Sequence, residues 1–227
     1  MGVFKNYGMR YASIILFMCC ISCNHDPKSS KYVTTDTVAV TFSPAEEVTG
    51  VVRALLPDPA SFHLREAKKW YDATGENWLV LYETDSYIPK SKSGATAKLA
   101  AILYQKTDSG FVKKWSMNDF IADCELDVTC HFYNDHLSVS DLDNNHIAEI
   151  MMVYALSCKG DVSPNNKKLI LYTNSKKYAI RGEELMLMGK DTLGGVRHAD
   201  SSFQQLPAII RDSALKHWQK FGFAKYE

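Results

Sequence analysis

Alternating apolar and polar residues predict β-hairpins along much of the chain. In residues 65–84, two strand-like runs flank Ala-Thr-Gly-Glu-Asn, where Gly75 and its polar neighbours indicate a turn. Residues 98–115 and 168–181 repeat this pattern of strand, polar turn and strand. Three of the apolar strands end in Leu-Tyr, which indicates either a weak internal repeat or the shared preference of strands for these residues.

Near the end of the chain, apolar residues recur with a different spacing. Apolar residues in 201–220 recur near helical spacing, which predicts a helix lying on the sheet, and residues 190–200 before it, with Gly194-Gly195, predict a loop. We therefore expect a mainly β fold, with antiparallel hairpins in a meander or propeller-like sheet and a C-terminal α-helix. Residues 45–227 are expected to form a single β-rich domain.

The first 22 residues predict an export signal. Lys5 and Arg10 precede an apolar run over residues 11–21, and a polar stretch follows it. A basic segment followed by about 7–15 apolar residues is typical of a secretory signal peptide. The run is too short to span a bilayer, which takes about 20 apolar residues.

The end of this segment, Cys20-Ile21-Ser22-Cys23, resembles the bacterial lipobox, although Cys20 stands where Leu is usual. The resemblance implies that Cys23 is acylated and becomes the mature N-terminus. Polar residues 23–44 would then form the lipid anchor and a flexible tether. The expected location is the bacterial cell envelope, lipid-anchored at the outer membrane, with the periplasmic and surface faces both left open.

Charge excludes one class of partner. The chain has 26 basic and 26 acidic side chains, and removal of residues 1–22 takes away Lys5 and Arg10 but no acid, which leaves a formal charge of −2. Nucleic-acid binding requires a basic face, so no nucleic-acid partner is expected. The membrane, through the N-terminal lipid, is the partner that the sequence predicts most directly.

Three cysteines remain beyond the anchor: Cys124, Cys130 and Cys158. An oxidising envelope favours one disulfide among them and one free thiol. The spacing does not choose the pair. A zinc site is disfavoured, because the cysteines lack the Cys-x-x-Cys spacing of structural zinc sites.

The segment 139–153 contains the clearest candidate site. Asp141, Asp143, Asn145 and Glu149 stand at relative positions 1, 3, 5 and 9, and Ile147 at position 7 would offer its backbone carbonyl. Calcium takes six to eight oxygen ligands, and short acidic loops supply them at alternate positions. The sequence thus predicts a candidate calcium loop. The alternative is a metal-free turn held by bonds from Asp and Asn side chains to the backbone.

This loop is not an EF-hand, because Met152 replaces the twelfth-position Glu and His146 replaces the sixth-position Gly. It resembles the calcium loops between strands in FG-GAP-type repeats.

Two other groups of residues are weaker candidate sites. Cys130, His131 and His136 could form a transition-metal site, but residues five apart on a strand face opposite sides of a sheet. Glu125 and Asp127 are two residues apart, so on a strand they would share one face and could form a glycosidase-like pair of carboxylates. A solvated strand edge explains the two acidic residues more simply.

Residues 141–182 resemble a family of bacterial envelope proteins described as surface polysaccharide biosynthesis proteins. The resemblance consists of an Asp-Leu-Asp loop leading to Ala-Glu, Asp161-Val-Ser-Pro164, and Tyr178-Ala-Ile-Arg-Gly182. It implies a role connected with surface polysaccharide and identifies no catalytic residues. The sequence therefore favours a non-enzymatic envelope lipoprotein that binds or scaffolds polysaccharide or an envelope protein. The alternative is a glycan-acting enzyme that uses paired carboxylates.

Overall fold

The computed structural model describes residues 62–226, most of which lie in antiparallel β-strands. The first sheet is a meander in which each strand pairs with the next one along the chain. Its strands are β1 (His63–Asp72), β2 (Gly75–Glu83), β3 (Ala95–Thr107) and β4 (Gly110–Cys124). The β1–β2 and β3–β4 turns have two residues each. They close tightly because Gly75 and Gly110 adopt positive φ angles of 114° and 120°, which glycine tolerates without a Cβ clash.

A second sheet and a small third sheet contain the other strands. These are β5 (Asp127–Phe132), β6 (Ser138–Ser140), β7 (Glu149–Lys159), β8 (Asn166–Thr173), β9 (Lys176–Glu183), β10 (Leu185–Met188), β11 (Asp191–Gly194), β12 (Arg197–Ala199) and β13 (Phe223–Tyr226). The second sheet has the order β12-β9-β8-β7-β5, with β6 also paired to β7. The third sheet has the order β11-β10-β13, in which β10 and β13 are parallel.

The first and second sheets pack face to face around a hydrophobic core. Successive side chains of a strand point to opposite faces, so alternate residues of the central strands lie between the sheets. The core includes Leu79 and Leu81 from β2 and Met152 and Tyr154 from β7.

The opposite face of the second sheet packs against a helix. The helix α1 (Ala208–Gln219) follows a 3-10 helix at Ser201–Gln205. Ile210, Ala214 and Trp218 are buried at intervals of four residues, so they share one helix face. That face packs on the β7 and β8 residues Met151, Val153, Leu169 and Leu171.

The predicted mainly β fold with a C-terminal helix is confirmed, and the meander is found in the first sheet. The three expected hairpins are present as β1–β2, β3–β4 and β8–β9. The loop predicted for residues 190–200 is wrong, because β11 and β12 occupy much of it. Both are short exposed strands that pair with the edges of β10 and β9, and their sequences lack an alternating apolar pattern.

The signal segment 1–22, Cys23 and the tether 23–44 lie outside the described residues. Within residues 62–226, no helix has the length and apolar character needed to cross a membrane.

Candidate functional site

Three carboxylates meet in the loop that joins β6 to β7. Asp141 and Asp143 lie in the loop, and Glu149 is the first residue of β7. One oxygen from each side chain can be chosen so that all three lie within 4.8 Å of one another. Two ligands of one calcium ion, each 2.3–2.6 Å from it, are at most about 5 Å apart. The three oxygens are therefore close enough to share one ion.

Side-chain bonds to the backbone give the loop this shape. Asp141 accepts the N–H groups of Asn145 and His146, at 3.0 Å each, through its two carboxylate oxygens. Asn145 accepts the Ile147 N–H through Oδ1 at 2.8 Å. Asn144 and His146 adopt positive φ angles of 56° and 64°. Asn and His are among the residues enriched in this left-handed region, so the chain can turn here without glycine.

Glu149 lies beneath the loop and is 0% exposed. Its Oε2 accepts the Leu142 N–H at 2.6 Å, and its Oε1 accepts the Thr173 hydroxyl at 3.4 Å. Burial raises the pKa of Glu149 to about 7, with the charges of Asp143 and Asp141 acting in the same direction. A bound divalent cation would oppose both effects by favouring the ionised carboxylate.

Asn145 and Ile147, the other two expected ligands, lie in the same loop. The Asn145 amide Nδ2 donates to Asp143 Oδ2 at 3.0 Å, and Ile147 donates its N–H to Asn145. The structure thus brings the three carboxylates together and places the amide beside them. These bonds also form the metal-free turn that was the alternative to a calcium loop.

Asp72, which the sequence analysis did not select, connects this loop to the first sheet. Its Oδ2 accepts the Ala148 N–H at 3.3 Å and the Trp70 indole N–H at 3.0 Å. Ala73, the next residue, donates its N–H to the His146 carbonyl at 2.7 Å. The position of Asp72 before a tight turn predicts its bond to Thr74. No local signal predicts the contact 76 residues away.

The other candidate groups do not form a site among the described residues. Glu125 lies in the turn before β5 and Asp127 is the first residue of β5, and both are exposed. Cys130 and His136 are buried whereas His131 is exposed. His136 stacks on Phe132 and its Nδ1 lies 2.6 Å from the Tyr133 carbonyl oxygen. Within residues 62–226, Asp141, Asp143 and Glu149 are the one group of three or more His, Cys, Asp or Glu side chains close enough to share a metal ion.

The cysteine pairing that the sequence left open is resolved in the structure. Cys124 at the end of β4 forms a disulfide with Cys158 in β7, with Cα atoms 5.7 Å apart. Cys130 is free and buried, and burial raises the pKa of its thiol to about 12. The disulfide joins the two large sheets, whereas Cys130 stays a protonated core residue at neutral pH.

Comparison with known proteins assigns no family to this arrangement. No family model matches the chain, and no curated protein or solved structure matches it. The function is therefore inferred from the sequence motifs and from the chemistry of the described residues.

Proposed function

We propose that this protein is a non-enzymatic, lipid-anchored binding or scaffolding protein of the bacterial cell envelope, with one calcium ion in its Asp141–Glu149 loop. The observation that supports the calcium site is the convergence of three carboxylates within 4.8 Å, one of them fully buried. Without a cation, ionised carboxylates at this spacing repel one another, and the charges of Asp141 and Asp143 oppose ionisation of Glu149. A calcium ion would neutralise them and hold the β6–β7 connection rigid.

The ligand types favour calcium over the transition metals. All the side-chain ligands in the loop offer oxygen, the donor that calcium and magnesium prefer, and neither sulfur nor imidazole is needed. Five candidate ligand positions in one loop suit calcium, which accepts a variable coordination geometry, whereas magnesium demands a nearly ideal octahedron and retains several waters. The ion would be structural, and no reaction step depends on it.

A binding role is favoured over catalysis because Glu125 and Asp127, the candidate glycosidase-like pair, do not lie in a cleft. Glu125 and Asp127 lie in an exposed turn and at an exposed strand end, where water stabilises their charges and no substrate is enclosed. The envelope location and the link to polysaccharide rest on the Cys23 motif and on the family resemblance of residues 141–182.

Calcium titration tests the metal site. A calcium concentration of ten to a hundred times the dissociation constant should stabilise the domain by about 1.4–2.7 kcal/mol, which corresponds to a rise in Tm of about 3–10 °C. Asp143→Asn should remove most of this rise, because it deletes a ligand charge and keeps the side-chain shape. Calorimetry and thermal melting in calcium and in chelator measure both effects.

Asp108→Asn is the matched control, since Asp108 is an exposed aspartate in the turn between β3 and β4. This variant should keep the full calcium response. Absence of heat and of a Tm shift at millimolar calcium would overturn the metal site and support the bare turn.

Membrane anchoring is tested at Cys23. Cys23→Ser should abolish incorporation of labelled palmitate in growing bacteria and release the protein from the membrane fraction or stall its processing. One acyl chain alone binds a membrane only marginally, so firm anchoring requires more than one. Cys130→Ser should leave labelling unchanged. Palmitate labelling that survives Cys23→Ser would contradict the lipid anchor.

A further inference from the structure

A cleft of about 530 Å³, lined by both polar and apolar side chains, lies between β4 and the core-facing side of β8, β9 and β12. A row of cross-strand neighbours forms part of its floor: Lys168 of β8 is opposite Arg181 of β9, and Arg181 is opposite His198 of β12. Residues directly opposite each other in a sheet point to the same face. Lys168 in turn is opposite Tyr154, a core residue, so the row continues the core-facing side of the sheet into the cleft.

Two cations stand side by side in this row, which is an unfavourable arrangement by itself, because like charges directly opposite across strands repel. Each has one carboxylate partner. Lys168 Nζ lies 2.6 Å from Asp119 Oδ2, and Arg181 pairs with Asp200. The lysine has three N–H donors and the arginine five. Their side chains remain 28% and 48% exposed, so several donors are accessible to a ligand.

Asp119 cannot serve as an additional acceptor for a ligand as readily, because its oxygens are already engaged. Its Oδ2 accepts the Tyr154 hydroxyl at 2.9 Å as well as the lysine, and its Oδ1 accepts the Phe120 N–H at 3.1 Å. Asp119, on the β4 wall of the cleft, therefore holds Lys168 in place. Lys168 and Arg181, on the floor, present more N–H donors than their carboxylate partners use. A carboxylate bound between Lys168 and Arg181 would accept charge-assisted hydrogen bonds from the donors that Asp119 and Asp200 leave unused.

A second row lies two residues further along the strands. Asn166 is opposite Glu183, both line the cleft, and both point to the same face as Lys168 and Arg181. The Asn166 amide can donate and accept, whereas the Glu183 carboxylate accepts from hydroxyl groups and repels a second anion. Positions two apart along a strand are about 6.6 Å apart, a distance that a hydroxylated six-membered ring with one carboxylate can bridge.

We propose that this cleft binds a hydroxylated carboxylate of sugar-acid size, with its carboxylate on Lys168 and Arg181 and its hydroxyl groups on Asn166 and Glu183. This second binding site goes beyond the proposed calcium site and is formed by different residues. Loss of calcium binding in Asp143→Asn and loss of ligand binding in a cleft variant are therefore separate results.

D-glucuronate, D-glucose and inorganic phosphate are the probes, titrated into the purified full chain by calorimetry. Glucuronate differs from glucose in having a carboxylate in place of a hydroxymethyl group. We expect glucuronate to bind at least about tenfold more tightly than glucose, because charge-assisted bonds exceed neutral ones. We also expect it to bind more tightly than phosphate, which lacks the ring hydroxyls. No binding of glucuronate at millimolar concentrations, or binding of glucose or of phosphate as tight as that of glucuronate, overturns the proposal.

Arg181→Gln should weaken glucuronate binding at least about tenfold, through loss of a bidentate partner. Arg197→Gln is the matched control. Arg197 is the β12 residue opposite Gly182, next to His198, and therefore faces the other side of the sheet from the cleft row. This variant should bind glucuronate like the wild type. In the wild type, glucuronate should shift the amide NMR signals of residues 166, 182 and 198 most strongly. Equal losses in both variants, or the largest shifts elsewhere, would contradict this site.

Discussion

Glu149 combines two conditions that both oppose ionisation of a carboxyl group. It is 0% exposed, and two other acidic side chains lie within a few ångströms of it. The N–H of Leu142 offsets part of this cost. In the calcium-free protein the pKa of Glu149 is raised from 4.5 to about 7. The folded protein therefore holds a proton on Glu149 at pH values where the unfolded chain has lost it.

This difference predicts a pH dependence. Between about pH 4.5 and 7, the calcium-free folded state binds more protons at Glu149 than the unfolded state, so its contribution to stability falls as pH rises. The loss should approach roughly 3 kcal/mol above pH 7. Glu149→Gln should remove this term, and saturating calcium should suppress it in the wild type. Urea unfolding at a series of pH values, with and without calcium, measures both.

His136 makes stability rise with pH over much of the interval in which Glu149 makes it fall. The informative quantity is therefore the difference in the free energy of unfolding between the wild type and Glu149→Gln at each pH. Burial lowers the pKa of His136 from 6.5 to about 4. The unfolded chain therefore binds more protons there, and stability falls as pH falls from 6.5 to 4. If the two proteins kept the same stability difference from pH 5 to pH 8, the raised pKa of Glu149 would be wrong.

At the scale of elements, the acidic loop depends on the first hairpin as much as on its own sequence. Asp72 accepts from Thr74 in its own turn, from Trp70 in β1 and from Ala148, the residue before β7. The Ala73 N–H adds a backbone bond to the carbonyl of His146. One carboxylate therefore holds the β1–β2 turn and the end of the candidate metal loop together.

Asp72→Ala should destabilise the protein by about 2–3 kcal/mol, because it leaves the Trp70 and Ala148 donors without their acceptor in a partly buried place. It should also weaken calcium binding, although Asp72 lies outside the group of three carboxylates. Asp108→Ala, in an exposed turn, should change neither quantity. Urea unfolding and calcium calorimetry provide the measurements, and an unchanged calcium affinity in Asp72→Ala would refute the coupling.

At the scale of the whole molecule, the Cys124–Cys158 disulfide joins β4 of the first sheet to β7 of the second. The two cysteines are 34 residues apart in sequence. Cys158 also lines the cleft between β4 and the second sheet. The disulfide therefore closes a large loop of the chain. It also links β4, which forms one wall of the cleft, to the second sheet, which forms the floor.

Reduction of this disulfide should lower the free energy of unfolding by about 4 kcal/mol, the value expected for a loop of this length from the entropy of the unfolded chain. The urea midpoint of the wild type should fall in dithiothreitol. A Cys124→Ala/Cys158→Ala double variant should unfold at the lower midpoint with and without the reductant. A wild-type midpoint that does not respond to full reduction would contradict this role.

Local chemistry made much of this fold predictable from the sequence. Gly75 and Gly110 mark tight turns, alternation marks the strands beside them, and the spacing of Asp141, Asp143 and Glu149 marks the acidic loop. Each of these signals acts over a few residues, because turn preferences and side-chain bonds to the backbone are local. Such signals can therefore be read from the sequence without knowledge of the rest of the chain.

Tertiary structure alone decided which distant residues meet. The choice of Cys158 over Cys130 as the partner of Cys124, the contact of Asp72 with Ala148, and the row of Lys168 beside Arg181 all depend on sheet stacking and strand register. These contacts join segments 13 to 76 residues apart, and many registers satisfy the same alternation of apolar and polar residues. The sequence by itself thus determined the hairpins and the acidic loop, whereas packing of the whole chain determined the disulfide, the support of the loop and the cleft.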